Sequence, residues 1–148
     1  MSSDSFIEIS VAVGILVRGD QVLICQRKKG SRYELKWEFP GGKRERGEED
    51  IDTLRRELFE ELSIRARSVS HVRTESSSYA DGGIFSVRFY LVHSWDGDCT
   101  NNVFEDIRWV HCTEVLQFDM LAGNIDLCAE LPALIAALPA TDSGESHG

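Results

Sequence analysis

The chain has 148 residues, 42% hydrophobic and 28% charged, which suits one core and a single domain over 1–148. Its formal net charge of -9 at pH 7 repels nucleic acid backbones, so no nucleic acid polymer is expected as a partner. No apolar run has the length needed to span a bilayer, which speaks against a membrane partner as well.

Residues 1–5 are polar and acidic and lack the basic and apolar regions of a signal peptide, so a cytoplasmic location is expected. Cys25, Cys99, Cys112 and Cys128 are scattered with no C-x-x-C pair, which argues against a zinc site. Cys25 and Cys128 sit in apolar patterns and are expected as buried, reduced thiols.

Residues 7–17 are rich in β-branched side chains and predict a strand. Gly19-Asp20 is a turn signal, and 22–26 resume the strand pattern, giving a hairpin. Residues 28–35 are polar and basic and predict a loop. Residues 37–40 are short and aromatic, and Gly41-Gly42 breaks the pattern. The clearest helix is 49–62, where Ile51, Leu54, Leu58 and Leu62 recur at helical spacing behind the acidic start Glu48-Glu49-Asp50. Residues 64–76 predict a strand. So do 84–95, where Phe85, Val87, Phe89 and Leu91 alternate against Ser86, Arg88 and Tyr90, with Asp96-Gly97-Asp98 as the closing turn. A short strand follows at 107–111, then a short helix at 113–118 capped by Thr113. The last helix is expected over 125–138; it tolerates Pro132 poorly, which leaves its start open. The ends, 1–5 and 141–148, are expected to be frayed tails. Strands mixed with two substantial helices predict an α/β sandwich on a mixed sheet.

The charges on the 49–62 helix are as patterned as its apolar face. With about 100° per residue, Glu61 lies roughly 40° to one side of Glu57 and Glu60 roughly 60° to the other. Three like charges on one stripe destabilise a helix. A hard divalent cation offsets that cost, since magnesium prefers carboxylate oxygens and shares its remaining positions with phosphates. Arg56 is placed to pair with Glu60 and with Glu48 of the preceding loop. The Gly41-Gly42 pair, Glu48, Arg56-Glu57 and Glu60-Glu61 stand at one fixed set of spacings.

That set resembles the Nudix box, G-x5-E-x7-R-E-U-x-E-E-x-G-U with U a bulky aliphatic, through Gly42, Glu48, Arg56, Glu57, Leu58, Glu60, Glu61 and Ile64. Ser63 departs from it, standing where the family has glycine, and a small cost in stability is expected there. The resemblance implies an α/β/α sandwich around a mixed sheet and hydrolysis of a diphosphate linkage. It implies magnesium, with manganese as the alternative, held by Glu57, Glu60, Glu61 and the Gly42 carbonyl. Glu48 and Arg56 would orient the site. The general base would be Glu57 or a later glutamate, for which Glu105 is the candidate.

The flanks resemble the MutT branch, which turns nucleoside triphosphates into monophosphate and pyrophosphate. On that resemblance Arg27 would hold the nucleotide, Phe39 would lie by the base, and Asn124 would read the base edge, with an amide that both donates and accepts. The bland role for Asn124 is a helix N-cap, and Trp37 reads as core. The partner is thus a small nucleotide, such as 8-oxo-dGTP, with CTP or modified dCTP as an alternative; the protein acts as a monomer or homodimer. Two further readings remain: a dinucleoside polyphosphate or ADP-ribose hydrolase, and a nucleotide-binding module without activity. Retention of all the box glutamates argues against the second. His71, His93, His111 and His147 are isolated in sequence and read as packed or surface histidines.

Overall fold

The computed structural model describes residues 8–78 and 84–139. The expected tails, the start of the first strand at Ile7, and His147 lie outside the described residues. Nine elements carry the fold: β1 (Glu8–Arg18), β2 (Gln21–Gln26), β3 (Trp37–Glu38), β4 (Gly41–Lys43), α1 (Asp50–Leu62), β5 (Arg65–Ser78), β6 (Ile84–Asp96), β7 (Asp106–His111) and α2 (Ile125–Ala136). Among the described residues the strands form one mixed sheet. β1 runs parallel to β6 along Glu8–Leu16, and the other pairings are antiparallel.

β1 is central, and its alternation sends side chains into two cores. Val13, Ile15 and Val17 pack with Phe89, Leu91 and the α2 residues Leu127, Cys128 and Leu131. Ala12 and Leu16 pack with Val92 and the α1 residues Leu54, Leu58 and Leu62. Each fully buried leucine stabilises the fold by about 1.5–3 kcal/mol. One helix therefore covers each face, which is the α/β/α sandwich expected. Gly14 brings α1 close, because a Cβ there would lie 3.0 Å from Leu54 Cδ1 and 3.3 Å from Leu58 Cδ1.

One expectation needs correction. Residues 113–118 hold only a 3-10 turn at Val115–Gln117, and Thr113 does not cap it, because its hydroxyl bonds the His111 ring at 2.8 Å. The last helix does start at Ile125, and it runs through Pro132. The missing backbone bond is offset by the buried Leu127, Cys128 and Leu131 before the proline and by Leu134 and Ile135, which pack against the same core after it. Cys25, Cys112 and Cys128 are buried, and all four cysteines are unpaired. Among the described residues no helix is long and apolar enough to cross a membrane.

Candidate active site

The site is built where α1 meets the β3–β4 segment. The helix starts after Glu49, whose N–H donates to the Asp52 carboxylate at 3.0 Å, satisfying one of the donors a helix end leaves free. A close ion pair between Arg88 of β6 and Asp50 fixes that end against the sheet. The C-terminal end is closed by the following loop. The Asn102 N–H donates to the Glu61 carbonyl at 3.1 Å, the Thr100 N–H to Leu62 at 2.8 Å, and the Asn102 amide to Glu60 at 3.0 Å. Both ends are pinned, so the carboxylate stripe has a defined direction.

Arg56 is the hub of the turn. Its Nε donates to Glu48 Oε2 at 2.6 Å and one terminal nitrogen donates to Glu48 Oε1 at 3.1 Å, a fork that matches a carboxylate. The same nitrogen reaches the Lys43 carbonyl at 3.1 Å, while the other donates to Glu57 at 3.1 Å and Glu60 at 3.4 Å. The Arg56 bond, helped by the Glu45 N–H, holds the Glu48 carboxyl at about 2, against an ordinary 4.5. The Arg56 guanidinium is raised in turn, first by Glu48. Both pairings expected of Arg56 are present.

The three glutamates do not stand alike. Glu57 is turned inward, its side chain 16% exposed, against 56% for Glu60. The Glu57 carboxylate fills the space a Cβ on Gly42 would need, so a side chain there would displace it. Glu61 accepts the Gly41 N–H at 3.1 Å. Gly41 is equally constrained, since its Cβ would overlap the Ala12 carbonyl oxygen. Burial first, and then the charge of Glu57 and a hydrogen bond shared with it, push the Glu61 carboxyl well above the carboxylate range. Glu57 and Glu61 thus face each other at a desolvated point, with hard oxygen donors that suit a divalent cation. Glu60 points to Arg56 instead, so among the described residues no three acidic, histidine or cysteine side chains are grouped around one position.

Beside this pair lie two hollows joined by Glu38. The smaller, about 210 Å³, is lined by Arg27, Glu38 and Glu61. Arg27 donates to both Glu38 oxygens at 3.3 Å and to the Arg32 carbonyl at 2.7 Å. Burial raises the Glu38 carboxyl, and Arg27 opposes that rise. The larger is a cleft of about 480 Å³ with an apolar floor from β1 and β6, including Val13, Val87 and Phe89. Phe39 and Asn124 both line it, and so do Tyr33, Lys36 and Glu38, which sequence reasoning missed. Asn124 occupies the N-cap position of α2, yet its side chain makes no capping bond, so its amide is left for the cleft. Its place is set by β3, since the Trp37 N–H donates to Asp119 and the Leu121 N–H to Trp37, each at 2.9 Å. The alternation around β3 is the signal that could have marked Glu38, but its register against Cys25 of β2 is a tertiary fact.

Glu105 is exposed and accepts the Lys29 N–H at 3.1 Å, at the rim of the loop rather than against the carboxylate pair. Trp37 is core, as expected, 6% exposed and edge-on to Phe118. His71, His93 and His111 bond Thr74, Ser70 and Thr113 respectively.

Residues 8–131 match the NUDIX domain, and the chain belongs to the Nudix family of hydrolases. Within that family it lies with the MutT-like members. It is 32% identical over 132 residues to the CTP pyrophosphohydrolase of Escherichia coli strain K12, covering 89% of this chain and 97% of that one. It is 35% identical over 114 residues to the 8-oxo-dGTP diphosphatase of Haemophilus influenzae, covering 74% and 82%. The solution structure of the E. coli ORF135 protein superposes with a TM-score of 0.78 at 32% identity, over 93% of this chain and 98% of that one. Nudix hydrolases generally need a divalent metal ion.

Proposed function

We propose that the chain hydrolyses nucleoside triphosphates to the monophosphate and pyrophosphate, with magnesium, or manganese in its place, bound by Glu57, Glu61 and the Gly42 carbonyl. Glu60, on the same helical stripe, would be the third carboxylate of the set. The observation that carries this reading is the Glu57–Glu61 pair, set against Gly41-Gly42 beside a cleft lined by Phe39 and Asn124.

A bound divalent cation neutralises charge on the diphosphate and acidifies water. Glu57 takes the proton from the attacking water, because Arg56 and Gly42 fix its direction. The water oxygen bonds to phosphorus, the bridging P–O bond breaks, and its electron pair leaves with the pyrophosphate. Glu105 is the alternative base, reached by movement of the loop it holds at Lys29. Arg27, which lines the hollow with Glu61, contacts the nucleotide. Four unpaired cysteines support work in the reducing cytoplasm.

For the base, the reading is an oxidised guanine such as that of 8-oxo-dGTP, supported by the free Asn124 amide and the Haemophilus relative. A CTP-type substrate is the second reading, favoured by the E. coli relative matched over 97% of its length. Steady-state rates on dGTP, 8-oxo-dGTP, CTP and dCTP, with product analysis, separate them. Equal kcat/KM on dGTP and 8-oxo-dGTP removes the first, and products other than pyrophosphate remove the triphosphate reading altogether.

A further inference from the structure

The loop between β2 and β3 is folded back on itself. The Arg27 N–H donates to the Lys36 carbonyl at 2.9 Å and the Leu35 N–H to the Arg27 carbonyl at 3.0 Å. Within it Tyr33 and Leu35 have φ of 57° and 63°, a region costly for residues with a Cβ. Local contacts hold Tyr33 there. Its carbonyl accepts the Lys36 N–H at 3.2 Å, its hydroxyl accepts from Arg32 at 3.2 Å, and the Arg32 guanidinium lies 4.9 Å from the ring centre. The strain therefore maintains a large aromatic ring on the wall of the cleft, 54% exposed, where it contributes little to the core. Phe39, buried to 3%, lines the same cleft. Backbone strain that keeps an aromatic ring in water beside an apolar cavity is expected of a ligand-binding position.

Resting on the reading that the substrate is a nucleotide, we propose that Tyr33 is a substrate-binding residue whose ring stacks on the nucleobase and forms the outer wall of the cleft. Every base presents a π face, so the ring contributes affinity without choosing the base. Choice falls to the polar groups of the cleft, Asn124 among them. Tyr33 therefore acts on purines and pyrimidines alike.

The test is calorimetric titration of the full chain with dGMP and with dCMP, alongside steady-state kinetics on the triphosphates. The variants are Tyr33→Phe, Tyr33→Ala and Tyr33→Gly; glycine suits the positive φ and preserves the fold. Ala and Gly are expected to weaken both monophosphates about tenfold, the scale of one stacking contact. KM should rise by a similar factor with kcat changed by less than about twofold, because stacking on the base is the same in the ground and transition states. Phe should keep wild-type affinity. Ala and Gly variants that bind both monophosphates as tightly as wild type overturn the proposal, as does a fall in kcat at constant KM. A wild-type chain that binds neither monophosphate overturns the nucleotide reading and the stacking role together.

Discussion

The Asn102 amide donates to the Ser63 hydroxyl at 2.9 Å and to the Glu60 carbonyl at 3.0 Å, tying a loop distant in sequence to the left-handed residue that ends α1. Ser63 has φ 62° and ψ 30°, the conformation for which glycine is suited. Left-handed backbone costs a serine roughly 1–2 kcal/mol, and a hydrogen bond returns about 1 kcal/mol. Ser63→Gly should therefore change stability little. Asn102→Ala should destabilise by about 1 kcal/mol, since both bonds are exposed. Urea unfolding measures both, and a Ser63→Gly variant less stable than Asn102→Ala would contradict the accounting.

Arg56 holds Glu48 through a two-point fork, and a lysine cannot reproduce it. Arg56→Lys should lower kcat/KM by about a hundredfold, the scale of a misplaced catalytic group. The same pair has a pH signature. The Glu48 carboxyl is held at about 2, below its ordinary 4.5, so its contribution to stability is complete above 4.5 and is lost as pH falls through 2. Acid unfolding curves of wild type and Glu48→Gln should converge over that window, and parallel curves would show that the pair carries no linkage.

Gly42 has no room for a side chain because the Glu57 carboxylate occupies it. Gly42→Ala should displace Glu57 and reduce kcat/KM by at least about a hundredfold. Because the clash falls on the far end of a side chain, the melting temperature should change far less than activity does. Wild-type turnover in this variant would remove Glu57 from the mechanism.

Glu57 and Glu61 meet at a buried point where burial and the charge of Glu57 raise the Glu61 carboxyl, and a divalent cation should take the place of the proton held there. At a hundred times its Kd, magnesium should raise the melting temperature by on the order of 5–10 °C. Glu61→Gln should lose the magnesium response and be inactive. A magnesium response that survives Glu61→Gln, followed by calorimetry, would place the cation elsewhere.

Much of this protein is legible in its sequence. The α1 boundaries, the apolar face of Leu54, Leu58 and Leu62, and the angular spacing of Glu57, Glu60 and Glu61 follow from a period of 3.6, a local property. At Thr113 one local signal is outweighed by another, and at Pro132 burial outweighs a local one. The His111 ring takes the Thr113 hydroxyl, and the buried leucines of α2 hold a helix that proline weakens.

By itself, then, the sequence determined which residues are available for the chemistry and on which element they ride, because chain neighbours and helical turns are fixed by covalent geometry. Only the tertiary structure decided that Glu57 and Glu61 face each other, since the Gly41 N–H and the space over Gly42 come from a separate strand. It also decided that the Asn124 amide is left uncapped and that Tyr33 stands on the cleft. Side-chain direction there depends on partners brought together across the sheet, and no spacing along the chain encodes that meeting.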